Sequence, residues 1–509
     1  MEYNTVEIDG KNLTLSDVQR IASGSFVELG PDTRETLKKS QDLVEKMSQS
    51  SEPIYGVNTG FGYLANQKIS PAQQKQLQRN ILVSHASGYG NPLSQEETRL
   101  AMALRLNVLL KGPSGVHYAL CEAFRDLINA EIYPIIPEYG SVGASGDLAP
   151  LAHLALPLIG QGAVRYKNRE MPAAEALKLA GLKPYELQKK EGLALVNGTQ
   201  IMLSVGGLAL LQAIELLDLA DKITALSYEA LMGSPKALDP LIHLARGQKG
   251  QIESAENILK ALEGSYILND NHAPVRVQDP YSLRCAPQIH GASRDSIRHS
   301  KEVIERELNA STDNPLVFPS EEKILSGGNF HGQCLAMAFD IAAMAMAEIG
   351  NVSERRLELL LNPQMSGLPA FLAPDEGINS GYMAAQYLSA SIVNENKLLA
   401  NPSCTDSIPG NVGIEDLVSM GMTSARKFRK LVNNLRVVLA VEITAACQAI
   451  DLRQQKVLGK ETSELYKKIR AEIPELKEDR IISEDIKTAV NILERSRGIE
   501  AFHETFCKR

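Results

Sequence analysis

A chain of 509 residues has ample material for a hydrophobic core and length for about three domains. Hydrophobic residues make up 44% but aromatics only 5%, with no Trp, and the apolar content is mostly Ala and Leu, which favours packed helices over a β-sandwich. A net charge of −8 with both signs interspersed leaves no positive surface for a nucleic-acid backbone.

The chain opens on MEYNTVEIDG, acidic and polar, without the basic start and apolar stretch of a secretory signal, which predicts a cytoplasmic protein. Shorter helical patterns follow at 96 to 111 and 115 to 131, broken by glycine-rich turns at 56 to 62, 88 to 91 and 140 to 146. The charged segment 161 to 192 carries short β-like pieces and turns, and a boundary is expected near Leu195.

The apolar stretch Ile201 to Ala220 would place Glu215 and Asp218 in lipid if it spanned a membrane, so a buried helix reaching about Met232 is predicted. Two further long helices are predicted. One runs from His331 to Leu361, with Leu335, Phe339, Ala342, Met346 and Ile349 on one stripe; the other runs from Asp416 to Leu452, with Leu431, Leu435, Leu439 and Ile450. Segments 311 to 330, 362 to 382 and 401 to 414 read as loops by composition. The fold class is therefore mostly α, with an N-terminal domain over 1–195 and a long-helix bundle over 196–509.

Six scattered cysteines and nine histidines form no CxxC, HxxxH or HExxH pattern, so neither disulfides nor a metal is expected. GFGYLA (60 to 65) fits a dinucleotide-loop pattern, but no apolar strand precedes it and no carboxylate stands about twenty residues on. Gly143-Ala144-Ser145-Gly146-Asp147 misses the nucleophile elbow of serine hydrolases by one residue, Asp147 standing where a second glycine belongs. The plain alternative is a glycine-rich helix start with Asp147 as cap and Pro150 in the first turn.

A third reading is chemical. In Ala-Ser-Gly the Gly nitrogen attacks the Ala carbonyl, and loss of one water from the ring and one from Ser leaves an exocyclic methylidene, an electrophile. The tripeptide also occurs at 22 to 24 and 86 to 88, but only the copy at 144 to 146 is flanked by glycines and opens a helix whose dipole favours negative charge on the ring.

The stretch GSVGASGDLAPLAHLAL (140 to 156) resembles the signature of the aromatic amino acid ammonia-lyases. YGVNTGFG (55 to 62), LVSHASG (82 to 88), GLALVNGTQ (192 to 200), QDPYSLRCAPQ (278 to 288), STDNP (311 to 315), SGGNFHG (326 to 332) and EDLVSMG (415 to 421) resemble that family in the same order. The resemblance implies a 4-methylidene-imidazol-5-one made from Ala144, Ser145 and Gly146, no external cofactor, and a homotetramer with active sites shared between subunits.

The implied reaction eliminates ammonia from an aromatic-type amino acid. Ser84-His85, Gln200 and Glu415 lean towards L-histidine, giving trans-urocanate as the first step of histidine degradation. Tyrosine or phenylalanine lyases and 2,3-aminomutases with the same group are the alternatives.

The chemistry has two obstacles, a poor leaving group and a barely acidic β-hydrogen. An electrophile that takes up the amine answers the first. A base with a lowered pKa answers the second, and the resemblance assigns it to Tyr55. It assigns the substrate carboxylate to the Arg284 fork, ring or carboxylate hydrogen bonds to Asn197 and Gln278, the ring oxygen to Tyr281, and packing over the electrophile to Phe330.

His85 and Glu415 suit an imidazole, with its one donor and one acceptor nitrogen. Each also has an ordinary structural reading, as a packed Tyr, an ion-paired Arg, loop polars, a core Phe, a satisfied His or a carboxylate at a helix start. Gly413, Ile414 and Leu417 depart from the Asn, Gln and His expected around 415, as does Ala286 from Gln.

Overall fold

The computed structural model describes residues 5–49, 53–60, 62–63, 69–269, 272, 274–375, 377–455 and 457–495. Phe61, Leu64 and Ala65 of the glycine-rich stretch, and Cys507, lie outside the described residues. The protein is mostly α, as expected from its Ala and Leu content.

Three long helices dominate: Gln200–Ala230, Gln333–Leu361 and Gly421–Leu452. The first two are long and apolar enough to cross a membrane by composition, but 72% of each apolar window is buried within the protein. The stripe Leu335, Phe339, Ala342, Met346 and Ile349 is fully buried, as its 3.6-residue spacing requires.

The third helix begins at Gly421 rather than Asp416. Met420 takes a left-handed backbone (φ +54°) and its N–H donates to the Val142 carbonyl at 3.0 Å, so the preceding residues are drawn out of helical geometry. The earlier patterns become Gln95–Leu110, started by a Ser94/Glu97 capping box, and Tyr118–Asn129.

The β-like pieces after 161 form the hairpin Ala163–Tyr166 with Arg169–Pro172. Lys167 and Asn168 both have positive φ, the geometry of a two-residue turn that matches strand twist. The remaining strands make small sheets of two or three.

The chain divides into two compact units. One comprises residues 1–208, 301–340 and 402–426; the other comprises 209–300, 341–401 and 427–509.

Candidate active site

In the first unit Gly143 and Gly146 pair across an isolated antiparallel bridge, folding Ala144 and Ser145 into a two-residue turn. Gly146 also bridges to Gly198, whose N–H donates to the Ser145 carbonyl at 3.3 Å and whose carbonyl accepts from Asp147 N–H at 2.7 Å. At Gly146 φ is +75°, and a Cβ there would stand 2.0 Å from the Gly198 oxygen, so no other residue fits.

The other two Ala-Ser-Gly copies trail from the ends of helices Leu15–Ala22 and Pro71–His85. Only the third is folded back and held on both sides. A small residue, a hydroxyl and a glycine in a clamped turn are what cyclisation to a methylidene-imidazolone needs, so the residues present fit that group.

Asp147 does not cap its own helix Leu148–Ala155, because its side chain makes no bond to that helix. Its carboxylate accepts from Ser141 Oγ at 2.9 Å and from Met202 N–H at 2.8 Å, capping Gln200–Ala230 instead. Burial pushes the carboxyl up to about 7, against the hydrogen bonds from Met202, Ser141 and Ile201. Ser145 has no histidine partner among the described residues, such as a hydrolase nucleophile uses.

Tyr55 sits half-buried in a turn, and its hydroxyl accepts from Gly62 N–H at 3.2 Å. Burial pushes its phenol above the ordinary value; the Gly62 hydrogen bond opposes this and the Glu415 charge adds to it. The expected lowered pKa is therefore not what this chain supplies. Desolvation and a nearby carboxylate both favour the neutral phenol.

His85, the last residue of its helix, has Nδ1 3.0 Å from Ser84 Oγ. Burial pushes it below the usual imidazole value, with the Ile81 carbonyl and Glu415 pulling the other way. That direction favours the neutral ring.

Glu415 thus exerts its charge on both Tyr55 and His85. It lies in a short bridge with Gly410, not at the start of a helix. Its Oε1 accepts from Asn411 Nδ2 at 3.2 Å, and Asn411 Oδ1 accepts from Tyr63 N–H at 3.3 Å. Asn411 therefore ties the Tyr55 loop to Glu415. In the sequence Asn411 is one polar residue of the 401 to 414 loop segment and carries no motif, because its partner Tyr63 is remote in the chain.

Asn197 is buried, with one amide hydrogen committed to the Asn314 carbonyl at 2.9 Å. Phe330 is half-buried in the turn before Gln333–Leu361.

Gln278, Tyr281 and Arg284 belong to the second unit. Gln278 and Tyr281 are exposed. The Arg284 guanidinium lies 4.6 Å from the Tyr281 ring centroid, and its Nε donates to the Asp279 carbonyl at 3.0 Å. Among the described residues no carboxylate pairs with Arg284, so its terminal fork remains open for an anion.

The chain is similar to known proteins along nearly its whole length. The sequence profile of the aromatic amino acid lyases matches residues 13–471. A histidine ammonia-lyase from Anaeromyxobacter sp. (strain K) is 48% identical over 506 residues, covering 97% of this chain and 99% of that protein.

The crystal structure of histidine ammonia-lyase from Trypanosoma cruzi is 38% identical, with a TM-score of 0.90 over 98% of this chain and 95% of that one. Tyrosine aminomutase from Streptomyces globisporus is 36% identical, with a TM-score of 0.93 over 98% of each. With the Ala-Ser-Gly turn held in place and the match covering nearly the whole chain, the chain belongs to the aromatic amino acid lyase family.

Proposed function

We propose that this protein is a carbon–nitrogen lyase that eliminates ammonia from L-histidine to give trans-urocanate, acting in the cytoplasm as a homotetramer. The observation that carries the reading is the turn Gly143–Gly146, closed on itself and clamped by Gly198. The methylidene-imidazolone that Ala144, Ser145 and Gly146 would form supplies an electrophile for the substrate amine.

The other roles fall to side chains. The open fork of Arg284 holds the carboxylate and so fixes the α- and β-carbons. Tyr55 takes the β-hydrogen as a proton after losing its own to solvent, a loss that its raised pKa shifts towards alkaline pH. Neutral His85 and the Glu415 carboxylate match the two imidazole nitrogens, one as donor or acceptor and one as acceptor. Asn197, Gln278 and Tyr281 offer polar contacts to the ring or carboxylate, and Phe330 covers the electrophile against water.

The resemblance to the aromatic amino acid ammonia-lyases supports active sites shared between subunits. Sedimentation at a fourfold chain mass tests the assembly.

Mass spectrometry of the peptide spanning 140–150 tests the group, which leaves that peptide two waters lighter. A panel of amino acids watched for urocanate, coumarate, cinnamate and β-amino acids tests the substrate. An unmodified peptide in a chain that still releases ammonia sinks the electrophile, and coumarate or a β-amino acid as the main product sinks histidine.

A further inference from the structure

Arg284 and Tyr281 are the two ends of a four-residue helix, Tyr281–Arg284. So short a helix does not hold its own shape, since nucleating a turn costs more than one or two hydrogen bonds return. Nor does it inherit the direction of the long helix Ala286–Leu308, because Cys285 (φ −104°, ψ 12°) breaks the run between them. Its terminal carbonyls are also left without helical partners.

One of those carbonyls, on Leu283, accepts a hydrogen bond from the Tyr228 hydroxyl at 2.9 Å. Tyr228 is fully buried, in the last turn of Gln200–Ala230, with Gly233 packed against its ring where a Cβ would come within 2.7 Å. The adjacent Ser282 carbonyl lies 3.5 Å from Arg356 Nη1, and Arg356 is itself clamped by Glu442 at 2.6 and 2.9 Å. Ser282 and Leu283 are thus pinned inward, while Tyr281 is exposed and Arg284 is half-buried.

We infer that Tyr228 is a positioning residue: its hydroxyl fixes the Tyr281–Arg284 turn and thereby the direction of the Arg284 fork. This rests on the reading of Arg284 as the carboxylate holder.

Tyr228→Phe keeps the buried ring and removes only the hydrogen bond, so the fold survives. For L-histidine KM rises roughly fivefold with kcat within about twofold, the size expected for one lost hydrogen bond acting on binding. Inhibition by imidazolepropionate, which carries the carboxylate, weakens by the same factor, while inhibition by 4-methylimidazole, which lacks it, is unchanged. Thr224→Val deletes another buried hydroxyl on the same helix, bonded to the Ala220 carbonyl, and leaves both constants alone.

In an Arg284→Ala background, Tyr228→Phe has no further effect on imidazolepropionate, because its route runs through the guanidinium. Additive effects, equal weakening of both inhibitors, or no change in Tyr228→Phe overturn the inference while Arg284→Ala still weakens imidazolepropionate. If Arg284→Ala itself leaves imidazolepropionate binding intact, the carboxylate reading falls and the inference with it.

Discussion

The Asp147 carboxylate accepts a hydrogen bond from the Met202 N–H at 2.8 Å, so the residue that follows the Ala-Ser-Gly turn caps a helix that starts more than fifty positions later. The turn and the long helix are thereby fixed to each other. Asp147→Ala leaves Ser141 and the buried N–H of Met202 without that acceptor and is expected to cost about 1–3 kcal/mol, read as a drop in thermal unfolding temperature.

The same residue predicts a pH signature. Its folded pKa of about 7 lies above the ordinary carboxylate value, so the native chain binds more protons than the unfolded one across that interval. Its contribution to stability is therefore fully present below about pH 4 and is lost as pH rises through about 7. Subtracting the melting profile of Asp147→Asn from that of the parent isolates this fall, and a flat difference between pH 4 and 8 contradicts it.

Ser145→Ala removes the hydroxyl that must leave but respects the turn. The variant is expected to melt like the parent, keep its unmodified mass, and lose activity by at least roughly a thousandfold, on the order of 4 kcal/mol of barrier. Gly146→Ala brings a Cβ to 2.0 Å from the Gly198 oxygen and should lose the mass deficit, the activity and some stability together. Intact mass and calorimetry separate the two cases.

Because burial and Glu415 hold Tyr55 protonated at neutral pH, kcat is expected to climb on the alkaline side. Tyr55→Phe should flatten that arm and lower kcat by roughly a hundred- to ten-thousandfold, with KM little changed. A profile in Tyr55→Phe that still climbs would assign the base elsewhere.

Glu415→Gln removes a charge that raises both Tyr55 and His85. The alkaline arm is predicted to move to lower pH, and the preference for histidine over tyrosine in kcat/KM to shrink. Asn411→Ala, which frees Glu415 at the cost of about 1 kcal/mol of hydrogen bonding, should move both in the same direction by less. Rate profiles with both amino acids decide it.

Much of this protein is written locally. The 3.6-residue stripe from Leu335 to Ile349 is legible because a helix buries one face whatever it packs on. The Ser94/Glu97 box and the Lys167–Asn168 hairpin follow from neighbours within four residues.

The site was legible as motifs and less so as geometry. Tyr55, His85 and Glu415 are far apart in sequence, and only the fold brings their charges within reach of one another. The direction of the Tyr55 shift depends on burial, which no spacing reveals. Asn411 carries no motif at all and matters only because Gly62, Tyr63 and Glu415 surround it.

The amino-acid order alone determined the helical class, the long runs and the one Ala-Ser-Gly set between glycines at a helix start, because each depends on residues within a few turns. Tertiary structure alone decided that Gly198 clamps that turn, that Asp147 caps a different helix, and that the last long helix waits until Gly421. Hydrogen bonds between segments far apart in the chain are chosen by what the fold leaves unsatisfied, and that is settled only when the segments meet.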